Sequence, residues 1–181
     1  TGGATACGLT SQQTLYCWGS NANGMLGNGT SGTSTNSSVP VPVSGTVKFQ
    51  SVSATTSFAC GLSTAGAAYC WGSNIGGRLG TGDTLSAPVT VPTPVKGGPV
   101  FRSLSAGLTH TCGVTAAGAA YCWGTSEALG GWSINGNGAT GNVLTPAAVS
   151  GGLTFTSISA GTFVTCGLAS IKAKTRSADE S

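Results

Sequence analysis

The stretch Cys60-Gly-Leu-Ser-Thr-Ala-Gly-Ala-Ala-Tyr-Cys-Trp-Gly72 decides the fold of this 181-residue chain. It reads as a β-hairpin, because Gly66 ends a three-residue loop (Thr64, Ala65, Gly66) whose last member needs a positive φ. If Ser63 and Ala67 close that loop as a hydrogen-bonded pair, counting outward sets Leu62 opposite Ala68, Gly61 opposite Tyr69 and Cys60 opposite Cys70. The cysteines then occupy a non-hydrogen-bonded pair, where Cα atoms lie about 4.5 Å apart. That is within disulfide reach, near its short limit. Complete copies also run from Cys7 to Gly19 and from Cys112 to Gly124, and Cys166-Gly-Leu168 opens a fourth. Gly118 repeats Gly66, whereas Gln13 takes the turn position in the first copy and predicts a weaker turn there.

Working outward, the leading cysteines at 7, 60, 112 and 166 set periods of 53, 52 and 54 residues. A repeat of that length marks a repeat architecture. Phe49 to Cys60, Phe101 to Cys112 and Phe155 to Cys166 each span 11 residues, so this part is rigid and the length variation lies between Trp and the next Phe. The cassette's first strand reads Phe49-Gln-Ser-Val-Ser-Ala54, Phe101-Arg-Ser-Leu-Ser-Ala106 and Phe155-Thr-Ser-Ile-Ser-Ala160. Phe and the aliphatic residue three later fall on opposite faces of an ideal strand, which requires either a bulge or two covered faces. Two covered faces suit a sheet stacked between similar sheets, as in a propeller blade.

The hairpin is followed by Ser20-Asn-Ala-Asn-Gly-Met-Leu-Gly-Asn-Gly-Thr30 and its match Ser73 to Asp83, tight turns around one buried leucine, Leu26 or Leu79. Pro/Val segments come next (39–43, 88–95, 146–149), and proline confines them to edge strands or connectors. The third repeat departs from this pattern with Thr125 to Trp132 and then Ile134 to Gly141. Trp132 lies outside the repeated frame, as a possible contact loop or as a side chain folded onto its own blade. We divide the chain into a repeat array, 1–168, with repeats at 7–59, 60–111, 112–165 and a fourth starting at 166, and a non-repeat tail, 169–181. In the tail Lys172 and Arg176 replace the expected glycine and cysteine, which leaves Cys166 unpaired.

Charged residues make up 6% of the chain and the net charge is +3, so composition implies neither charge-driven disorder nor a nucleic-acid partner. The 31 glycines follow no Gly-X-Y period, which excludes collagen. Six cysteines in three equally spaced pairs (Cys7 and Cys17, Cys60 and Cys70, Cys112 and Cys122) argue for disulfides and an oxidising compartment; six reduced, buried cysteines are the alternative. No Cys-x2-Cys cluster accompanies the single histidine, His110, so neither a metal nor a cofactor is expected. Outside the tail the carboxylates are Asp83 and Glu127, in non-equivalent loops, and no catalytic residue is assigned. His110 is expected to be structural. Gly136-x-Gly138-x-x-Gly141 matches a dinucleotide fingerprint only as a string, since no strand leads into it and no helix follows. Asn28-Gly-Thr30 and Asn36-Ser-Ser38 are glycosylation sequons of the kind that arise easily in a Ser/Thr-rich chain. No apolar run reaches the ~20 residues of a membrane span. The chain begins in what reads as mid-strand, as expected for a mature or truncated piece of a secreted protein.

Phe-x-Ser-Ile-Ser-Ala-Gly-x4-Cys-Gly-Leu, then Gly-x-x-Tyr-Cys-Trp-Gly, then Ser-Asn-x-x-Gly-x-Leu-Gly-x-Gly resembles the regulator of chromosome condensation repeat, over about residues 1–168. More narrowly it is similar to the bacterial, secreted, cysteine-paired version. The resemblance implies an all-β fold, a β-propeller-type array of antiparallel blades, here about three and a half blades in an incomplete ring. It implies a non-enzymatic extracellular module that binds a protein partner or other copies of itself. The alternative is a structural subunit of a surface layer, fibre or appendage formed by head-to-tail association. The nucleotide exchange and β-lactamase inhibition known in the family belong to particular loops and are not carried over to these residues.

Overall fold

The computed structural model describes residues 5–125 and 134–170. Within them the chain forms four consecutive antiparallel sheets, stacked as blades along an arc of a β-propeller. The first blade holds β1 (Thr5–Leu9), β2 (Leu15–Gly19) and β3 (Ser37–Pro42). The second is β4 (Phe49–Ala54), β5 (Phe58–Ser63), β6 (Ala68–Gly72) and β7 (Val89–Pro94). The third repeats it with β8 (Phe101–Ala106), β9 (His110–Thr115), β10 (Ala120–Gly124) and β11 (Val143–Ala148). In the last, β12 (Thr154–Ala160) pairs with β13 (Thr165–Ser170), which carries the ladder two residues past the expected end of the repeats at 168.

The hairpin register is the one that its turn dictates. Ser63 and Gly66 close the loop, with Ser63 N–H donating to Ala67 O and Gly66 N–H to Ser63 O, both at 2.9 Å. Leu62 then faces Ala68, Gly61 faces Tyr69 and Cys60 faces Cys70. Disulfides join Cys7 to Cys17, Cys60 to Cys70 and Cys112 to Cys122, each with a Cα separation of 4.1 Å. Gly66 and Gly118 adopt φ of 79° and 82°, and Gln13 adopts 62°, a positive φ in a residue other than glycine.

The Phe-x-Ser strands resolve their facing conflict with a bulge. The register shifts between Phe49 and Ser51, between Phe101 and Ser103, and between Phe155 and Ser157. Each phenylalanine is thereby free to lie over a glycine of the adjacent strand: a Cβ on Gly61, Gly113 or Gly167 would come within 2.6–2.7 Å of that ring. The proline-bearing strands β3, β7 and β11 lie at sheet edges, where a missing N–H costs no ladder bond.

The core lies between blades. Leu15, Cys17, Leu26, Val43, Phe49, Ala59 and Trp71 form one buried cluster joining the first and second blades. Phe58, Cys60, Leu62, Leu79, Phe101 and Trp123 belong to its counterpart between the second and third. A sheet covered on both faces needs small residues where neighbours approach, which accounts for the Ser, Ala, Gly and Cys of the cassette.

Candidate interaction surface

Three repeated contacts weld each blade to the next and fix which surfaces remain free. The residue at the hairpin turn aims its carbonyl at the next blade: Gln13, Gly66 and Gly118 accept the N–H groups of Phe49, Phe101 and Phe155 at 3.2, 2.8 and 2.8 Å. The second serine of the Phe-x-Ser strand does the same through its hydroxyl, Ser53 Oγ accepting from Ala106 N–H at 3.0 Å and Ser105 Oγ from Ala160 N–H at 2.9 Å. Threonines ahead of the cysteines reach backwards, Thr111 Oγ1 donating to Arg78 O at 3.1 Å and Thr165 Oγ1 to Ile134 O at 2.9 Å.

Trp71 and Trp123 of the second and third Cys-Trp-Gly each cross into the preceding blade. Trp71 Nε1 donates to Met25 O at 2.9 Å. Its ring lies against Gly27, where an added Cβ would meet Nε1 at 2.8 Å, and the Trp123 ring lies against Gly80, at 2.7 Å by the same measure. Both tryptophans are fully buried, tilted against Phe49 and Phe101 at centroid separations of 6.1 and 5.8 Å. The same backbone frame recurs a third time, with Ser44, Lys96 and Ser150 donating their N–H groups to Gly27, Gly80 and Gly136 at 2.9, 2.9 and 2.8 Å. Gly136 of the fingerprint-like string is therefore the repeat glycine, and Asn135 stands where Leu26 and Leu79 stand. The shared Gly-x-Gly was the signal for that alignment.

The connectors 20–36 and 73–88 are pinned from beneath by one asparagine each. Asn21 Oδ1 accepts Leu26 N–H at 2.9 Å, while its Nδ2 donates to Thr30 O and Thr35 Oγ1 at 3.0 and 2.9 Å. Asn74 Oδ1 accepts Leu79 N–H at 3.0 Å, and its Nδ2 donates to Thr81 Oγ1 and to the Asp83 carboxylate at 3.1 and 2.6 Å. Asp83 is thus a connector brace. The pinned loop 73–88 presents Ile75 and Leu85 to solvent, 63% and 53% exposed.

His110 is fully buried at the position that Phe58 holds one blade earlier. Its Nε2 lies 2.7 Å from Thr165 Oγ1. The threonine's single hydrogen is committed to Ile134 O, so Nε2 carries the proton and donates. Burial lowers the imidazole pKa to about 4. The ring is a neutral bridge between blades, with no carboxylate beside it among the described hydrogen bonds.

Cys166 is an exposed free thiol on β13. Trp132, Glu127 and the tail from 171 onward lie outside the described residues. No group of three or more metal-binding side chains converges among the described residues, and no helix among them is long and apolar enough to cross a membrane.

The regulator of chromosome condensation (RCC1) repeat profile matches residues 13–62 and 65–114, and a second profile of the same repeat matches 1–24. Among solved structures, Prp20p of Saccharomyces cerevisiae superposes with a TM-score of 0.83 at 20% identity, over 96% of this chain and 43% of its own. That structure was described together with binding to Gsp1p and histones, and a second one shows Prp20 bound to Kap60. Human WBSCR16 gives a TM-score of 0.65 at 16% identity, over 94% of this chain and 57% of its own. The ectodomain of the receptor kinase CR4 of Physcomitrella patens gives 0.57 at 24%, over 97% and 37%. The chain thus spans less than two thirds of each of these structures. At such identities they show the fold, a β-propeller, while the profile matches cover more than half of the sequence. The chain belongs to the regulator of chromosome condensation (RCC1) repeat family, whose propellers are in general protein-interaction modules.

Proposed function

We propose that the chain is a non-enzymatic protein-interaction module of the extracellular space, using the connectors between β2 and β3, β6 and β7, and β10 and β11 as its contact loops. The observation that carries this reading is the division of labour within the repeat. Blade-to-blade bonds recur at equivalent positions, whereas the connectors differ in sequence, and 73–88 projects two apolar side chains, Ile75 and Leu85, from a braced frame. A rigid scaffold with variable, pre-organised loops is how repeat folds bind proteins. Three disulfides within a fold of this kind support an oxidising compartment. The protein contacts described for Prp20p, with Gsp1p, histones and Kap60, lend support by fold alone and name no partner for this chain.

The test is capture by the immobilised chain from secreted and cell-surface fractions, compared with the Ile75→Ser/Leu85→Ser double variant. A partner retained by the parent and lost with the variant supports the reading. Capture that is indifferent to connector substitutions, or catalytic turnover that follows the purified chain, overturns it.

A further inference from the structure

The interface between the third and last blades contains a tryptophan slot with no tryptophan from the repeat. A cavity of about 320 Å³ opens there, lined by Asn135, Gly136, Val149, Phe155 and Thr165 among others. These match, residue for residue, the group that encloses Trp71 (Leu26, Gly27, Val43, Phe49 and Ala59). Among the described residues an added Cβ at Gly136 would meet only Val149, where the equivalent glycines meet an indole. Of its polar liners, Asn135 is fully buried, and its Oδ1 has no partner among the described residues. An unpaired buried acceptor calls for a donor, and an indole N–H supplies one.

The strand that would carry this tryptophan is also marked. In the complete blades Cys60 faces Cys70 and Ala59 faces Trp71; Cys112 faces Cys122 and Thr111 faces Trp123. By that register a strand beside β13 would set a cysteine opposite Cys166 and a tryptophan opposite Thr165. The chain's own sequence has Arg176 and Ser177 at those positions. β13 is already dressed as a middle strand, since Phe155 covers Gly167 as Phe49 covers Gly61. Of the three Cys-Trp-Gly strands, β6 and β10 have fully buried tryptophans, whereas Trp18 of β2 is half-buried and rests over Gly8 of its own hairpin.

We propose that the edge of β13, unpaired among the described residues, and the adjoining cavity form an acceptor site for β2 of a second copy of this chain, with Trp18 of that copy in the slot and its Cys17 opposite Cys166. β13 replaces β1 of the second copy as the partner of β2, and β12-β13-β2-β3 becomes a four-stranded blade with the pairing of β4-β5-β6-β7. The thiol chemistry balances without an oxidant. Cys166 thiolate attacks Cys17 Sγ, the Cys17–Cys7 bond breaks as the Cys17–Cys166 bond forms, and Cys7 leaves as a thiolate that takes up a proton. The exchange leaves the total number of free thiols unchanged: the acceptor chain gives up Cys166, and the donor chain gains Cys7 beside its own Cys166.

The inference deepens the interaction-module reading by naming one partner, and the two fail differently. A chain that captures another protein through its connectors while ignoring β2 upholds the module and removes this site. The probe is a synthetic peptide of residues 14–20, its cysteine held as a mixed disulfide with glutathione and offered to the folded full chain. Cys166 should displace the glutathione and retain the peptide at least about tenfold faster than it retains the Trp18→Ala peptide, as a buried aromatic anchor requires. Non-reducing peptide maps of the concentrated chain should show Cys17 linked to Cys166 and Cys7 open to alkylation. Equal capture of both peptides would reduce the site to a reactive thiol and overturn the proposal. So would faster capture by the Trp132→Ala chain, which would show the slot already filled from within.

Discussion

The carbonyl of Gln13 accepts the N–H of Phe49 at 3.2 Å, the bond that Gly66 and Gly118 make to Phe101 and Phe155. Gln13 holds a φ of 62° to make it. A left-handed conformation costs a residue with a Cβ about 1–2 kcal/mol relative to glycine, part of which the flexible unfolded glycine gives back. Gln13→Gly should therefore stabilise the chain by about 0.5–1 kcal/mol. Gly66→Ala should cost about 2–3 kcal/mol, because the new Cβ would come within 2.5 Å of Val100 and 2.8 Å of Phe101 O. Urea denaturation of the two variants checks both signs.

The two buried tryptophans differ in one bond. Trp71 Nε1 donates to Met25 O, whereas Trp123 Nε1 is without a partner among the described residues. Trp71→Phe leaves a carbonyl unpaired and should cost about 1–3 kcal/mol beyond the lost contact area. Trp123→Phe removes an N–H that is itself unpaired, so its cost should be smaller. The same denaturation series ranks them.

His110 makes stability depend on pH. Its folded pKa, about 4, lies below the ordinary 6.5, so the unfolded chain binds the proton more readily. The contribution is fully present above pH 6.5 and is lost as the pH falls from there toward 4, amounting to about 3 kcal/mol across that window. His110→Phe restores the side chain of Phe58 at the equivalent place and should flatten this part of the profile. Thermal melts from pH 4 to 7.5 on both proteins measure the difference.

The hairpin disulfides close short loops, so each should contribute modestly. Replacing Cys60 and Cys70 by serine should cost about 2–3 kcal/mol, and more than the same change at Cys7 and Cys17. The second bridge lies in the core between blades, where both cysteines are fully buried, whereas Cys7 is half-buried. Midpoints in guanidinium report the order.

The turn glycine made the hairpin register, and with it the cysteine pairing, readable from residues 60–72 alone, since strand pairing around a turn is local arithmetic. The bulge was legible as a conflict of faces between Phe49 and Val52. What crosses between blades was not. The serine at 53 reads as a small polar residue until the next blade brings Ala106 N–H to it, and nothing in residues 60–72 says that Trp71 packs on Gly27 of the preceding blade. Asn135 was obscured because a polar residue had replaced the repeat leucine, so the apolar pattern that aligned the first two connectors gave no signal in the third. Cys166 was identified as unpaired from the sequence, but the cavity beside it required the packed blades.

Central to this account is one disulfide-closed hairpin in each of the first three blades, with Cys166 of the last blade a free thiol. Its most direct test is a non-reducing peptide map of the dilute monomer after alkylation. The expected map shows Cys7–Cys17, Cys60–Cys70 and Cys112–Cys122 as disulfides and Cys166 as the one alkylated thiol. Bridges between different hairpins, or cysteines alkylated throughout, would contradict it.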